Sequence, residues 1–102
     1  TRPGSPAADA PVEGGWLMDL LDSRFHLVTI NADAPDQFEH EGIAVNRIAL
    51  KTAGAGALGE RYLGRERSAV YLIRPDQHVA ARWTNFDENA VRYAIDRATA
   101  RN

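Results

Sequence analysis

Apolar residues in this chain gather into short runs that are separated by polar, proline-containing or glycine-rich segments. Runs of this length, rich in valine, isoleucine, leucine and tyrosine, are typical of buried β-strands. The pattern predicts strands at Phe25–Ile30, Ile43–Leu50, Ser68–Arg74 and Val79–Trp83. Proline and aspartate in residues 75–78 favour a tight turn. The last two strands are therefore predicted to form a β-hairpin.

Helical spacing of apolar residues marks two further segments. Trp16–Asp22 is predicted to be a short amphipathic helix, since Trp16, Leu17, Leu20 and Leu21 recur at helical intervals. The final helix is predicted to start at Asn85 as N-cap, with Glu88 three residues later as in a capping box. Arg97 and Arg101 near its C-terminal end complement the helix dipole. Its apolar stripe consists of Ala90, Val91, Ala94, Ile95 and Ala98.

The remaining segments are less regular. Residues 31–41 are polar, contain Pro35 and four acidic side chains, and are predicted to hold a loop and a helical turn. The glycine- and alanine-rich residues 52–64 are predicted to contain a short helix at Leu58–Leu63. Residues 1–15 hold few large apolar groups, which predicts an extended arm or linker, with the folded domain at residues 16–102.

This order of elements predicts the fold class. An early β-α-β unit followed by a β-hairpin and a C-terminal helix is the topology of the thioredoxin fold. A right-handed crossover makes the first two strands parallel and places the antiparallel hairpin at the other side of the sheet. We therefore predict an α/β, thioredoxin-like domain with a mixed sheet of about four strands and flanking helices. The chain has no cysteine, which excludes a Cys-x-x-Cys redox pair, disulfides and a cysteine nucleophile.

Length and charge exclude further classes. The 102 residues correspond to a single domain. A formal net charge of −2 provides no attraction to nucleic acid or to anionic lipid. The densest basic cluster is interleaved with Glu60 and Glu66, which is typical of a solvated face, and it consists of Arg61, Arg65 and Arg67. No apolar run reaches the length of a membrane span.

One stretch matches a nucleotide-binding pattern. Residues Gly54–Gly59 fit G-x-G-x-x-G and follow a predicted strand, and Asp76 lies near the position of a ribose-binding acid. Such a site would hold a pyrophosphate at a helix N-terminus. However, Gly64 interrupts the segment before Ser68, and a crossover needs roughly a dozen residues or more. We therefore favour a loop over a nucleotide site.

The other polar residues form no recognisable catalytic or metal-binding pattern. His26, His40 and His78 lack the i, i+4 partner of a metal-binding helix. The acidic residues of 33–41 lack the ligand spacing of a calcium loop, so a solvated turn is favoured over a cation site. No serine stands in a G-x-S-x-G motif. We therefore predict no catalytic, cofactor-binding or metal-binding residue in this chain.

The hairpin and the last helix carry two further features. Asp76 and Arg82 flank the hairpin and are predicted to pair across it as a structural ion pair. Four aromatic residues lie near one another in sequence. In the absence of a basic groove, core packing or a protein interface is favoured over base stacking for Tyr71, Trp83, Phe86 and Tyr93.

The hairpin region resembles a known family. Tyr62–Arg82 reads YLGRERSAVYLIRPDQHVAAR, which resembles the C-terminal signature of flavin-dependent phenol and aromatic-ring hydroxylases. In that family a tyrosine precedes an apolar strand ending in Arg-Pro-Asp, and a short strand then closes on arginine. Residues Arg2–Asp9, RPGSPAAD, resemble the segment that leads into the same module. Gln77 replaces a commoner glycine, and Ala81 stands where an aromatic residue is frequent.

The resemblance implies a role for the chain. In this family a large upstream region handles FAD, NAD(P)H and the aromatic substrate, and the thioredoxin-like C-terminal module contributes packing or subunit association. It implies a non-catalytic domain of a larger cytoplasmic monooxygenase, with the upstream flavin-binding region as partner and self-association as a further role. The first residue, Thr1 rather than methionine, suggests processing or a longer parent protein. Two alternatives stay open: a free-standing, redox-inactive thioredoxin-like binding module, and an enzyme that uses the glycine loop or the histidines.

Overall fold

A mixed sheet of five strands forms the centre of the domain. The computed structural model describes residues 3–12, 15–52 and 56–99. Its strands are β1 (Pro11–Val12), β2 (Gly15–Trp16), β3 (Phe25–Ile30), β4 (Gln37–His40), β5 (Ile43–Leu50), β6 (Ala69–Ile73) and β7 (Val79–Trp83). The central sheet has the order β4-β5-β3-β6-β7, in which β3 and β5 are parallel and the other neighbours are antiparallel. The α/β class, the parallel first pair and the hairpin are confirmed, whereas the strand number is five instead of about four.

The segment predicted as a loop with a helical turn, residues 31–41, contains strand β4 instead. Phe38 and His40 are buried while their neighbours are exposed, and the strand pairs antiparallel with β5. The connecting residues Glu41 and Gly42 have φ angles of 54° and 79°, as a type I′ hairpin turn requires. The prediction of a helical turn was wrong because the burial of this segment has a period of two. The crossover from β3 to β5 therefore contains no helix.

Helix α1 is shorter than the predicted helix at Trp16–Asp22. It covers only Leu17–Leu20, and Leu21 already has extended backbone angles. Leu17 and Leu21 are buried, but Trp16 and Leu20 are 50% and 47% exposed. The predicted apolar stripe is divided between core and surface because the chain leaves helical geometry before Leu21 to enter β3.

The predicted helix at Leu58–Leu63 is present and begins earlier. A short helix α2 (Gly56–Leu58) continues into a π-helix at Gly59–Leu63, where Tyr62 and Leu63 are buried. Gly64 ends it with a φ angle of 59°, a conformation that glycine adopts without steric cost.

Helix α3 (Glu88–Ala98) confirms the predicted C-terminal helix, with a different N-cap. The carboxylate of Asp87 accepts a hydrogen bond from the backbone N of Ala90 at 3.1 Å. The prediction of Asn85 as N-cap was therefore wrong by two residues. Phe86 stays outside the helix because it packs against the hydrophobic cluster beneath α3. Arg101 lies outside the described residues.

Hydrophobic clusters cover both faces of the sheet. Strand β3 is central, and every one of its residues is buried. On one face, Val91 and Ile95 of α3 pack on strand residues that include Leu27, Val45, Val70 and Leu72. On the other face, α1, the π-helix and buried residues of the N-terminal segment pack on Val28, Ile30, Tyr71 and Ile73. The domain therefore has three layers, with the sheet in the middle.

Residues 3–12 of the predicted arm pack on this second face. Ala7 and Ala10 are buried, and β1 pairs antiparallel with β2. Pro6 forms an antiparallel bridge with His78 beside the hairpin. Residues 3–12 therefore pack on the domain, and their last two residues form a strand.

Candidate functional site

The hairpin turn that contains the Arg-Pro-Asp sequence is held by local hydrogen bonds. The backbone N of Arg74 donates to His78 O, and that of Gln77 donates to Arg74 O, both at 2.8 Å. Asp76 Oδ1 accepts from the backbone N of His78 at 3.2 Å, and the carboxylate also pairs with Arg74. The polar groups of this turn therefore serve to fix its shape.

Asp76 is a carboxylate at neutral pH. Burial acts to raise the pKa of this carboxyl, but the hydrogen bond from the His78 backbone and the charge of Arg74 outweigh it and lower the pKa below its usual value. The predicted pairing with Arg82 was wrong. Arg82 lies opposite Tyr71 in the strand register, away from the turn, where it donates to Leu63 O at 3.3 Å and lies 5.4 Å from the Tyr71 ring centroid.

Gln77 occupies a left-handed position in the hairpin turn. Gln77 has a φ angle of 64°, a left-handed conformation that costs a residue with a side chain roughly 1–2 kcal/mol. Its side-chain amide donates to Leu21 O at 3.3 Å. That contact links the hairpin turn to the end of α1.

The N-terminal segment lies along the outer edge of the hairpin. The backbone N of Val79 donates to Ser5 O at 2.9 Å, and the backbone N of Ala7 donates to Gln77 O at 2.7 Å. The N-terminal segment and the hairpin thus contact each other at residues 4–7 and 77–79.

A pair of buried tyrosines, Tyr62 and Tyr71, connects the N-terminal segment to the core. The Tyr62 hydroxyl donates to Ala8 O, and the Tyr71 hydroxyl donates to Tyr62 O at 2.5 Å. Their rings are edge-to-face with centroids 4.9 Å apart. Burial raises the pKa of both hydroxyls above the ordinary tyrosine value. Both groups therefore remain neutral hydrogen-bond donors, which suits a structural role and not that of a base.

The three histidines occupy separate places. His26 is buried at the start of β3, and its Nε2 lies 2.9 Å from Asp22 Oδ1. Hydrogen bonds from Arg24 and from His26 hold the pKa of the Asp22 carboxyl well below its usual range. His78 belongs to the hairpin turn, where its Nδ1 lies 3.4 Å from Asp76 Oδ1. Each of these two rings thus has its own nearby carboxylate.

His40 connects the edge strand β4 to α3. Its Nε2 lies 2.7 Å from Asp96 Oδ1, and its Nδ1 lies 3.1 Å from an Arg92 guanidinium nitrogen. Since arginine can only donate, Nδ1 accepts, and Nε2 carries the hydrogen and donates to the Asp96 carboxylate. Arg92 also donates to Glu39 O at 3.0 Å. These hydrogen bonds link strand β4 to helix α3.

The acidic residues of 33–41 are spread over the β3–β4 connection, β4 and the β4–β5 turn and do not converge. Asp36 lies 3.4 Å from Arg47, whose guanidinium donates to Ala32 O and Ala34 O at 2.9 and 2.7 Å. Arg47 thus holds the connection in place. Among the described residues, no three histidine, aspartate or glutamate side chains are arranged to hold a metal ion.

The glycine pattern is only partly described, because Gly54 and Ala55 lie outside the described residues. Gly56 has a φ angle of 86° and opens α2. Gly59 is buried inside the π-helix. The carboxylate of Asp76, the candidate ribose-binding acid, accepts a hydrogen bond from the His78 backbone and pairs with Arg74 within the hairpin turn.

A cleft of about 1220 Å³ lies where the parallel strands β3 and β5 end. Ligands of open α/β sheets bind at this edge. Its polar lining includes Asn31, Lys51 and Thr52, and its apolar lining includes Ile48 and Leu50. The Asn31 amide is engaged in structure, since it donates to Thr52 O and Arg67 O at 2.8 and 3.0 Å. It therefore ties together the strand ends that border the cleft.

Comparison with known protein families, curated proteins and solved structures gives no significant match to this chain. No helix in the described parts of the chain is long and apolar enough to cross a membrane.

Proposed function

We propose that this chain is a non-catalytic, thioredoxin-like domain of a larger FAD- and NAD(P)H-dependent aromatic hydroxylase, in which it serves packing or subunit association. The observation that carries the proposal is the contact between the two family-like segments. Residues 4–7 pair with residues 77–79 of the hairpin. The same two stretches of sequence resemble the C-terminal module of that family, and here they build one structural unit.

The strand order supports a thioredoxin-like assignment. Strands β5, β3, β6 and β7 lie side by side, with a parallel first pair and an antiparallel hairpin, and α3 follows the hairpin and packs on the sheet. This is the arrangement that a β-α-β unit followed by a hairpin and a helix produces. The chain departs from it in two ways: β4 is added at the edge, and the crossover lacks a helix.

The use of polar side chains supports a structural role. Arg47, Asn31 and His40 direct their hydrogen bonds to neighbouring backbone or side-chain groups. The hairpin, the tyrosine pair and the N-terminal segment are likewise bonded to one another. These residues hold the fold together, and none is assigned a step in a reaction.

The described residues do not fit a flavin site. In a dinucleotide fold the third glycine of the pattern lets a helix pack on its strand, and the helix N-terminus faces the pyrophosphate. Here Gly59 lies within a π-helical turn and Asp76 belongs to the hairpin. The cofactors of the proposed parent protein therefore belong to its upstream region.

Flavin titration tests the proposal. FAD fluorescence and anisotropy are expected to stay unchanged when the purified 102-residue chain is added in excess, and NADPH is expected to leave its thermal unfolding midpoint unchanged. A ligand that binds only the folded state stabilises it by an amount that grows with the logarithm of the ratio of ligand concentration to Kd, so an unfolding measurement at high ligand concentration detects weak sites. A Gly56→Val variant provides the control. Saturable, one-to-one flavin or nucleotide binding that this variant abolishes would favour an independent enzyme.

One observation favours the second candidate, a free-standing redox-inactive thioredoxin-like binding module. A groove of about 500 Å³ runs between β7 and α3. A groove of this kind suits a module that recognises a partner.

A further inference from the structure

The ring of His40, on the edge strand β4, contacts two oppositely charged side chains of α3. Its Nε2 donates to Asp96 Oδ1 at 2.7 Å, and its Nδ1 accepts from Arg92 at 3.1 Å. Both hydrogen bonds exist together only while the ring is neutral and carries its hydrogen on Nε2. His40 is 9% exposed, so a ring nitrogen that loses its protein partner has little water to replace it.

Protonation of this ring has opposite consequences for its two partners. A protonated imidazole has two N–H donors and no acceptor. The new hydrogen on Nδ1 would face a guanidinium N–H of Arg92, so this hydrogen bond is lost and two positive charges meet. At Nε2, the hydrogen bond to the Asp96 carboxylate becomes an ion pair. Acid therefore weakens the contact with Arg92 and strengthens the contact with Asp96.

Arg92 has a second partner that does not depend on His40. Its Nε lies 3.3 Å from Glu88 Oε2, one helical turn earlier on α3. Its contacts with β4 are a hydrogen bond to Glu39 O at 3.0 Å and the Phe38 ring, whose centroid lies 4.5 Å from the guanidinium carbon. The arginine side chain is 36% exposed. Arg92 can therefore leave β4 and keep its ion pair on α3.

The charged groups around His40 come from α3, from β4 and from the turn that follows β4. The two α3 side chains contact the ring directly. Glu39 and Glu41 flank His40 in the chain, and both are exposed. The residue opposite His40 on β5 is Ile43, which carries no charge. The response of the ring to pH is therefore set by the arginine and the aspartate of α3.

We propose that His40, Arg92 and Asp96 form a pH-sensitive link between the edge strand β4 and helix α3. Above the range in which histidine titrates, roughly pH 5–8, Arg92 bonds His40 and covers the backbone carbonyl of Glu39. Below that range the ring stays paired with Asp96, while Arg92 leaves β4 and remains paired with Glu88. The exposed carbonyl then belongs to the class of edge-strand groups that can pair with another chain. The inference is independent of the proposed hydroxylase role, because it concerns only groups within this domain.

Double-mutant cycles test the proposal, measured by urea unfolding of the full chain at about pH 8 and about pH 5. In the cycle of His40→Ala and Arg92→Ala, we expect the coupling to raise the folding equilibrium constant about fivefold at the higher pH and to disappear at the lower pH. In the cycle of His40→Ala and Asp96→Ala, the coupling is expected to grow at the lower pH. The cycle of Glu88→Ala and Arg92→Ala omits the histidine and is the matched control, with equal coupling at both pH values.

Nuclear magnetic resonance of the isotope-labelled full chain follows the same side chains without a destabilising substitution. Towards alkaline pH the neutral His40 ring is expected to carry its hydrogen on Nε2. On acidification, the Arg92 Nε–H signal is expected to shift with the same midpoint as the His40 ring. That shift is expected to vanish in His40→Gln and to persist in His78→Gln, whose ring lies in the hairpin turn.

The proposal is overturned if the coupling between His40 and Arg92 is the same at both pH values. It is also overturned if the neutral ring carries its hydrogen on Nδ1, because that nitrogen could not then accept from Arg92. An Arg92 signal that titrates unchanged in His40→Gln would assign its pH response to another group. Flavin titration reports on none of these side chains, so the two proposals are tested separately.

Discussion

The Tyr62→Ala variant is expected to lose about 3–5 kcal/mol of the free energy of unfolding, the cost of truncating a buried aromatic side chain. Tyr62 is 1% exposed, stacks edge-to-face on Tyr71, and donates its hydroxyl hydrogen to Ala8 O. Truncation opens a cavity between the π-helix and the sheet and releases the N-terminal segment. Small domains are stable by roughly 5–15 kcal/mol in total, so urea unfolding followed by circular dichroism resolves this loss easily.

Two further variants separate the ring from the hydroxyl. Tyr62→Phe keeps the packing and leaves Ala8 O without this donor, so a loss of about 1–2 kcal/mol is expected. Tyr93→Ala removes an aromatic ring that is 64% exposed, and its effect is expected to stay within about 0.5 kcal/mol. Equal losses for Tyr62→Ala and Tyr93→Ala would show that the contact between the π-helix and the N-terminal segment does not stabilise the domain.

Stability is expected to fall steeply in alkali because of the same tyrosine pair. Burial raises the pKa of Tyr62 and of Tyr71 in the folded state. Because each tyrosine has a higher pKa in the folded state than in the unfolded state, its contribution to the free energy of unfolding is fully present below the unfolded pKa of about 10. That contribution is lost as the pH rises towards the folded-state pKa. Within that window each tyrosine contributes a slope of about 1.4 kcal/mol per pH unit.

Urea unfolding at a series of pH values above about 10 measures this slope. In the Tyr62→Phe variant the slope of the free energy of unfolding against pH is expected to be smaller by about 1.4 kcal/mol per pH unit, because one buried titrating hydroxyl is gone. Tyr93→Phe provides the control, since that side chain is exposed. If the slopes of the Tyr62→Phe variant and the original chain coincide, the burial of Tyr62 does not govern alkaline unfolding.

The elements that were predicted correctly are those determined by residues close together in the sequence. The strand Val79–Trp83 and the preceding turn are found where proline, aspartate and the apolar run predicted them. Strand β4 was missed because its signal, alternate burial at Phe38 and His40, was outweighed by the acidic and proline-containing surroundings. The N-cap was misplaced because Asn85 and Asp87 are both residue types that cap helices well, and Asp87 makes the capping hydrogen bond while Phe86 packs against the core.

Long-range contacts account for what the sequence did not reveal about the candidate site. The hydrogen bonds of residues 4–7 to the hairpin and the Tyr62–Ala8 contact join segments more than fifty positions apart. The hydrogen bonds of His40 with Arg92 and Asp96 also depend on the placement of α3 beside β4. The groove beside β7 becomes visible only when the sheet edge and the helix are seen together.

The coding sequence immediately upstream of Thr1 tests the proposed membership in a larger flavin-dependent hydroxylase most directly. We expect a long continuous reading frame whose beginning encodes a strand, a G-x-G-x-x-G turn and a helix, which together form a dinucleotide-binding unit. A start codon or a cleaved leader directly before Thr1 would contradict the hydroxylase proposal and leave a free-standing binding module as the function to pursue.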